Sequence, residues 1–124
     1  MKNSHKNILI TGAGKGIGES TAKLFLSKGY YVYALIKNKE DNIKFKNYQN
    51  ILIINGNVNN TKLIEKIFSN SNKKNKIITG LINNAGIRHR KKFLEIKNFE
   101  LKNVFDSNFF SIFKTMQLFS KKFD

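Results

Sequence analysis

The stretch "LITGAGKGIGES", Leu9 to Ser20, packs four of the chain's eight glycines into seven residues: Gly12, Gly14, Gly16 and Gly18. A short apolar run precedes it and a stretch with helical spacing follows. A strand, a glycine-rich turn and a helix in that order make a cradle for phosphate. The helix opens with unpaired N–H groups, and the positive end of its dipole faces the anion. The spacing narrows the kind of cradle. Ile17 stands where the third glycine of G-x-G-x-x-G belongs, and Lys15 is followed by Gly16 instead of Ser or Thr, which removes the Walker A loop. What remains is T-G-x-x-x-G-x-G, on Thr11, Gly12, Gly16 and Gly18. Its mechanics are those of a pyrophosphate site. Gly12 permits a sharp exit from the strand, Gly16 lets the backbone approach the pyrophosphate, and Gly18 lets helix pack closely on strand.

The elements that must hold this loop follow from the apolar pattern. Buried strands are expected at Asn7 to Thr11, Tyr31 to Ile36 and Ile51 to Asn55, and a fourth within Ile77 to Asn83. Between them lie helix-like stretches: Gly16 to Lys28 with Gly29 as its stop, Thr61 to Ser69 built on Ile64, Ile67 and Phe68, and a long helix from Asn98 to Phe123. Strands that are apolar throughout and alternate with helices predict a parallel sheet covered on both faces, a doubly wound α/β domain. Ligands in such sheets bind beyond the carboxyl ends of the strands, where the glycine loop falls.

Two further motifs sit in register with the first. "LINNAGI", Leu81 to Ile87, follows the fourth strand about seventy residues after the glycine loop, and "NVFDSNFFSIF", Asn103 to Phe113, places Asn108 in a V-x-x-x-N setting. Together the three motifs resemble the short-chain dehydrogenase/reductase family, from Asn7 onward, with its Rossmann-type sheet. The resemblance implies NAD(P) as cofactor and hydride transfer between nicotinamide and a carbonyl or alcohol. It places Gly12, Lys15, Gly16, Ile17 and Gly18 on the pyrophosphate and adenosine ribose, and Asn84, Ala85 and Gly86 along the cofactor. It leaves Asn83 to brace the sheet, against Thr11. An Asp-Val pair usually meets adenine in the family; here the pair is Asn57-Val58, and Asn both donates and accepts. The end of the second strand, Leu35 to Asn38, carries no acid to bond a ribose 2′-OH. Lys37 there, with Lys15 in the loop, suits a 2′-phosphate, so NADP is expected over NAD.

The resemblance also implies four reacting residues: Asn, Ser, and Tyr and Lys in Y-x-x-x-K spacing. Only the Asn is matched, by Asn108. The tyrosines are Tyr30, Tyr31, Tyr33 and Tyr48, and none has a lysine four residues on. The family runs to about 250 residues as one domain. These 124 residues are therefore expected to be its N-terminal, cofactor-binding part, truncated after the fourth strand and the following helix, and inactive alone. A non-catalytic dinucleotide-binding module, or half of a split enzyme, is the alternative. An unpaired edge on the fourth strand and a phenylalanine-rich last helix call for cover, from the missing part or from a second copy in a homo-oligomer.

Charge and composition bound the rest. The net charge of +15 comes almost wholly from scattered lysines, with Arg88 and Arg90 the only arginines. That distribution reads as compositional drift in a chain also rich in Asn, Ile and Phe, and not as a nucleic-acid surface, which leans on Arg. "RHRKK", Arg88 to Lys92, reads as a solvated loop, and His5 as part of a frayed terminus. No cysteines, no clustered acids and no long apolar run point to no metal, no membrane span and a cytoplasmic setting.

Overall fold

A computed structural model of the chain describes residues 6–123; His5 lies outside them. Four parallel strands run β1 (Asn7–Thr11), β2 (Tyr31–Ile36), β3 (Ile51–Asn55) and β4 (Gly80–Ile82), in the spatial order β3-β2-β1-β4. Strand period two sends alternate residues to opposite faces. Ile8, Ile10, Val32, Ala34 and Ile36 pack on one face with Ala22 and Leu26 of α1 (Gly16–Ser27) and with Phe45. Leu9, Tyr33 and Leu35 pack on the other with Ile64, Ile67 and Phe68 of α2 (Thr61–Lys73), and with Leu118. The sheet is thus covered on both faces, and the central strands β1 and β2 are almost wholly buried while the edge strands are half-buried.

Four elements differ from expectation. β4 takes only three residues of its apolar stretch; before it, Asn7 Nδ2 donates to the Ile77 carbonyl and the Asn7 carbonyl accepts from Thr79 N–H. α2 runs on to Lys73. Asn60 caps its start by accepting from Leu63 N–H, and Asn75, at φ 56°, takes the left-handed turn that follows its end. The long helix is not continuous. α3 (Asn98–Phe105) opens into a π-turn, Asp106–Phe110, before α4 (Ser111–Ser120) resumes. Ser111 and Thr115 hydroxyls donate to the carbonyls four residues back, at Ser107 and Ser111. A π-turn is wider than a helical turn and marks functional sites in many proteins. Here it presents Asn108 to the loop after β4. A 3₁₀ segment, Lys39–Phe45, was not expected at all; it is polar except for Ile43 and the buried Phe45. No helix among the described residues is long and apolar enough to cross a membrane.

Candidate functional site: a cleft at the carboxyl end of the sheet

All four strands deliver their carboxyl ends to one cleft. Its walls include Gly12, Gly14 and Lys15 after β1; Lys37, Asn38 and Asp41 after β2; Gly56, Asn57 and Val58 after β3; and Ala85, Gly86 and Ile87 after β4, with Ser107 from the π-turn. Of the residues expected at a cofactor, Gly12, Lys15, Lys37, Asn57, Val58, Ala85 and Gly86 therefore share one cavity. Gly16, Ile17 and Gly18 start α1 at its edge, and Ile17 is 79% exposed there.

The glycines are required by contact as well as by conformation. At Gly18 a β-carbon would lie 2.0 Å from the Gly12 carbonyl oxygen, and at Gly12 it would lie 2.9 Å from Ala85 Cα. Helix, loop and the segment after β4 are therefore stacked backbone on backbone. Gly16 differs: it is left-handed, at φ +53°, and nothing stands within 4 Å of the place its β-carbon would take. No side chain caps the start of α1.

Thr11 and Asn84 lock the two loops together. Thr11 Oγ1 accepts from Asn84 N–H and Ala85 N–H, both at 3.0 Å. Asn84 Nδ2 donates to the carbonyls of Thr11 and Gly12 at 3.2 and 3.0 Å. This corrects the brace expected of Asn83: Asn84 makes it, while Asn83 Oδ1 is buried with no partner among the described residues. β4 ends at Ile82, so neither asparagine is held by the ladder, and the one whose side chain reaches Thr11 and Gly12 is the second. Asn108 holds the far end of the same turn. Its Oδ1 accepts from Ile87 N–H at 2.7 Å and its Nδ2 donates to the Ile87 carbonyl at 2.6 Å.

The basic loop is exposed to solvent, as expected, and two of its side chains are also tied down. Arg88 to Lys92 are exposed, yet His89 Nε2 lies 3.1 Å from Glu100 Oε1 and Lys91 Nζ bonds the same oxygen. Glu100 also accepts from Lys97 N–H, closing the start of α3. The Lys91 ammonium, then the Lys97 N–H, hold its carboxyl down at about 2, against 4.5 normally. A depressed folded-state value means stabilisation present above pH 4.5 and lost as pH falls through about 2. Thermal melts of the wild type should therefore exceed those of Glu100→Gln at neutral pH, and the gap should close between those two values. A gap that ignores pH would contradict this assignment.

The family model for short chain dehydrogenases matches residues 6–124. The chain belongs to the short-chain dehydrogenase family. Among curated relatives it is 31% identical over 107 residues to a 3-amino-tetrahydro-pyrrolizinone reductase of Xenorhabdus hominickii, covering 85% of this chain and 37% of that protein. It is 33% identical over 119 residues to a 3-oxoacyl-acyl-carrier-protein reductase of Buchnera aphidicola, covering 91% of this chain and 47% of that one. Solved structures agree. A 4-hydroxyisoleucine dehydrogenase complexed with NADH superposes with TM-score 0.83 at 28% identity, over 95% of this chain and 49% of its own. ElxO with NADP bound gives 0.85 at 28%, over 95% and 50%. The chain thus spans half or less of the length of these relatives, and both cofactor types occur among them.

Family motifs alone would not have found four of the cleft's residues. Asp41 and Gly56 lie between the motifs, while Gly14 and Ser107 stand inside them at positions that carry no family signature. The one available signal was the charge pair at i, i+3 in "KEDNIKF", Asp41 and Lys44, which is an ion pair at 3.0 Å.

Proposed function

We propose that these residues form the NADP-binding part of an oxidoreductase that moves a hydride between nicotinamide and a carbonyl or alcohol carbon. One observation carries the choice of NADP: Lys15 and Lys37 line a single cleft, and Asp41, the one acid lining it among the described residues, is already paired with Lys44. The site fits such a ligand on its own terms, since α1 starts without a side-chain cap at Lys15, which lines the cleft, and nothing fills the space at Gly16. Gly12, Gly16, Ile17 and Gly18 bind the pyrophosphate, and Lys15 and Lys37 bind the 2′-phosphate. Asn57 spends its Oδ1 on Asn59 N–H, which leaves its amide N–H for the adenine ring beside Val58. Asn84 fixes the glycine loop, and Ala85 and Gly86 border the ribose and nicotinamide. Asn108 keeps a lone pair and an N–H beyond its two bonds to Ile87, enough to hold a water in a proton relay. When bound, the cofactor would be the hydride donor to a carbonyl or the hydride acceptor from an alcohol.

A proton must also reach the substrate oxygen, and no tyrosine here serves. Tyr33, buried on β2, donates its hydroxyl to the Lys76 carbonyl at 2.9 Å, and burial pushes its pKa up. Turnover then requires a Tyr-x-x-x-Lys pair from outside these residues, so the isolated segment should oxidise no NADPH with generic carbonyl substrates. Phe105, Phe109, Phe113 and Met116, each more than half exposed along α3, the π-turn and α4, are the surface that subunit contacts would cover.

The cofactor choice is tested by thermal stability with each dinucleotide at equal concentration. NADP is expected to raise the melting temperature more than NAD, because stabilisation follows the logarithm of ligand over dissociation constant. Equal shifts, or a larger one with NAD, would overturn the choice.

A further inference from the structure

Asp41 lies in the cleft wall with Lys15, Lys37 and Asn38, and is 8% exposed. An unpaired carboxylate at that place would repel a phosphate. Lys44, which does not itself line the cleft, stands behind it: Nζ is 3.0 Å from Asp41 Oδ1 and donates to the Gly14 carbonyl at 2.8 Å. Glu19 Oε2 also faces this ammonium, at 3.7 Å, but its other oxygen is bonded by Lys23 at 2.9 Å. Asp41 Oδ2 backs onto Gly14, where a β-carbon would come within 3.1 Å of it. The carboxylate is therefore pinned between the glycine loop and the lysine.

We infer that Lys44 is a positioning residue for specificity: by neutralising Asp41 from behind the cleft wall, it makes the wall accept a dinucleotide with a 2′-phosphate over one with a free 2′-OH. The inference rests on the NADP reading above and adds a residue that never touches the ligand. Without Lys44, Asp41 presents a full negative charge to a phosphate, while to a ribose hydroxyl it presents an acceptor. The two dinucleotides should respond in opposite directions. Loss of the Gly14 bond alone would loosen the loop for both alike.

The test is calorimetric titration of NADP and NAD into the wild-type protein, Lys44→Met, Lys44→Arg and the double variant Asp41→Asn/Lys44→Met. The ratio of NADP to NAD affinity should fall about tenfold or more in Lys44→Met, hold in Lys44→Arg, and return in the double variant. A wild-type preference for NADP with both affinities falling equally in Lys44→Met, or no return in the double variant, would overturn the inference and leave the NADP reading standing. A wild-type preference for NAD would overturn that reading and the inference with it.

Discussion

Gly18→Ala is expected to destabilise the fold by about 3 kcal/mol or more, lowering the melting temperature by about 12 °C, and to abolish dinucleotide binding. The added carbon would sit 2.0 Å from the Gly12 carbonyl oxygen and close on Asn84 Nδ2, at 2.5 Å. The first of these is backbone, so no rotamer relieves it. Relief would need α1 to move off β1, or Gly12 to shift and strain the bonds that Asn84 makes to the Thr11 and Gly12 carbonyls. Gly16→Ala is the matched comparison from the same loop. Nothing stands within 4 Å of its missing carbon, so it costs only the left-handed conformation at φ +53°, about 1–2 kcal/mol. Paired thermal melts separate the two causes. Equal losses at the two positions would show that conformation, and not the contact between helix and loop, governs this turn.

Thr11→Val should cost about 2–4 kcal/mol although it keeps the shape of the side chain. Thr11 is 1% exposed, and its hydroxyl oxygen is the acceptor for two backbone N–H groups, those of Asn84 and Ala85. A methyl in its place leaves both donors unsatisfied against a closed wall. Thr11→Ser keeps the oxygen and gives up one methyl, about 1 kcal/mol. Denaturant unfolding of the three proteins tests this. If valine is tolerated as well as serine, the hydroxyl does not hold the loop after β4. A loosened loop would also carry Ala85 and Gly86 away from the cleft, so cofactor affinity should fall with stability in the valine variant only.

The residues that fold the sheet announce themselves because burial and period coincide. β1 and β2 are apolar on both faces, and only a sheet covered on both sides can use them, which agrees with their central places in the order β3-β2-β1-β4. The glycine loop is legible for a related reason: four glycines between strand and helix have few other uses. Apolar periodicity says nothing about polar segments. Lys39–Phe45 has one buried apolar anchor, Phe45, and the segment it holds puts Asp41 in the cleft wall with Lys44 behind it. That Asn84 and not Asn83 makes the brace is a question of side-chain direction past the end of a ladder, where period two no longer applies. The π-turn follows from side chains too, as the back-bonded Ser111 and Thr115 flank a helix whose apolar spacing alone suggested no break.

The central claim is that this cleft reads a 2′-phosphate through Lys15 and Lys37. The most direct measurement uses two fragments that differ in that group alone, adenosine 2′,5′-bisphosphate and adenosine 5′-monophosphate. Their dissociation constants should be compared for the wild type and for Lys15→Gln/Lys37→Gln. The wild type should bind the bisphosphate about tenfold tighter or more, and the double variant should bind the two alike. Equal binding of both fragments by the wild type, or a preference that survives loss of both lysines, would contradict the account.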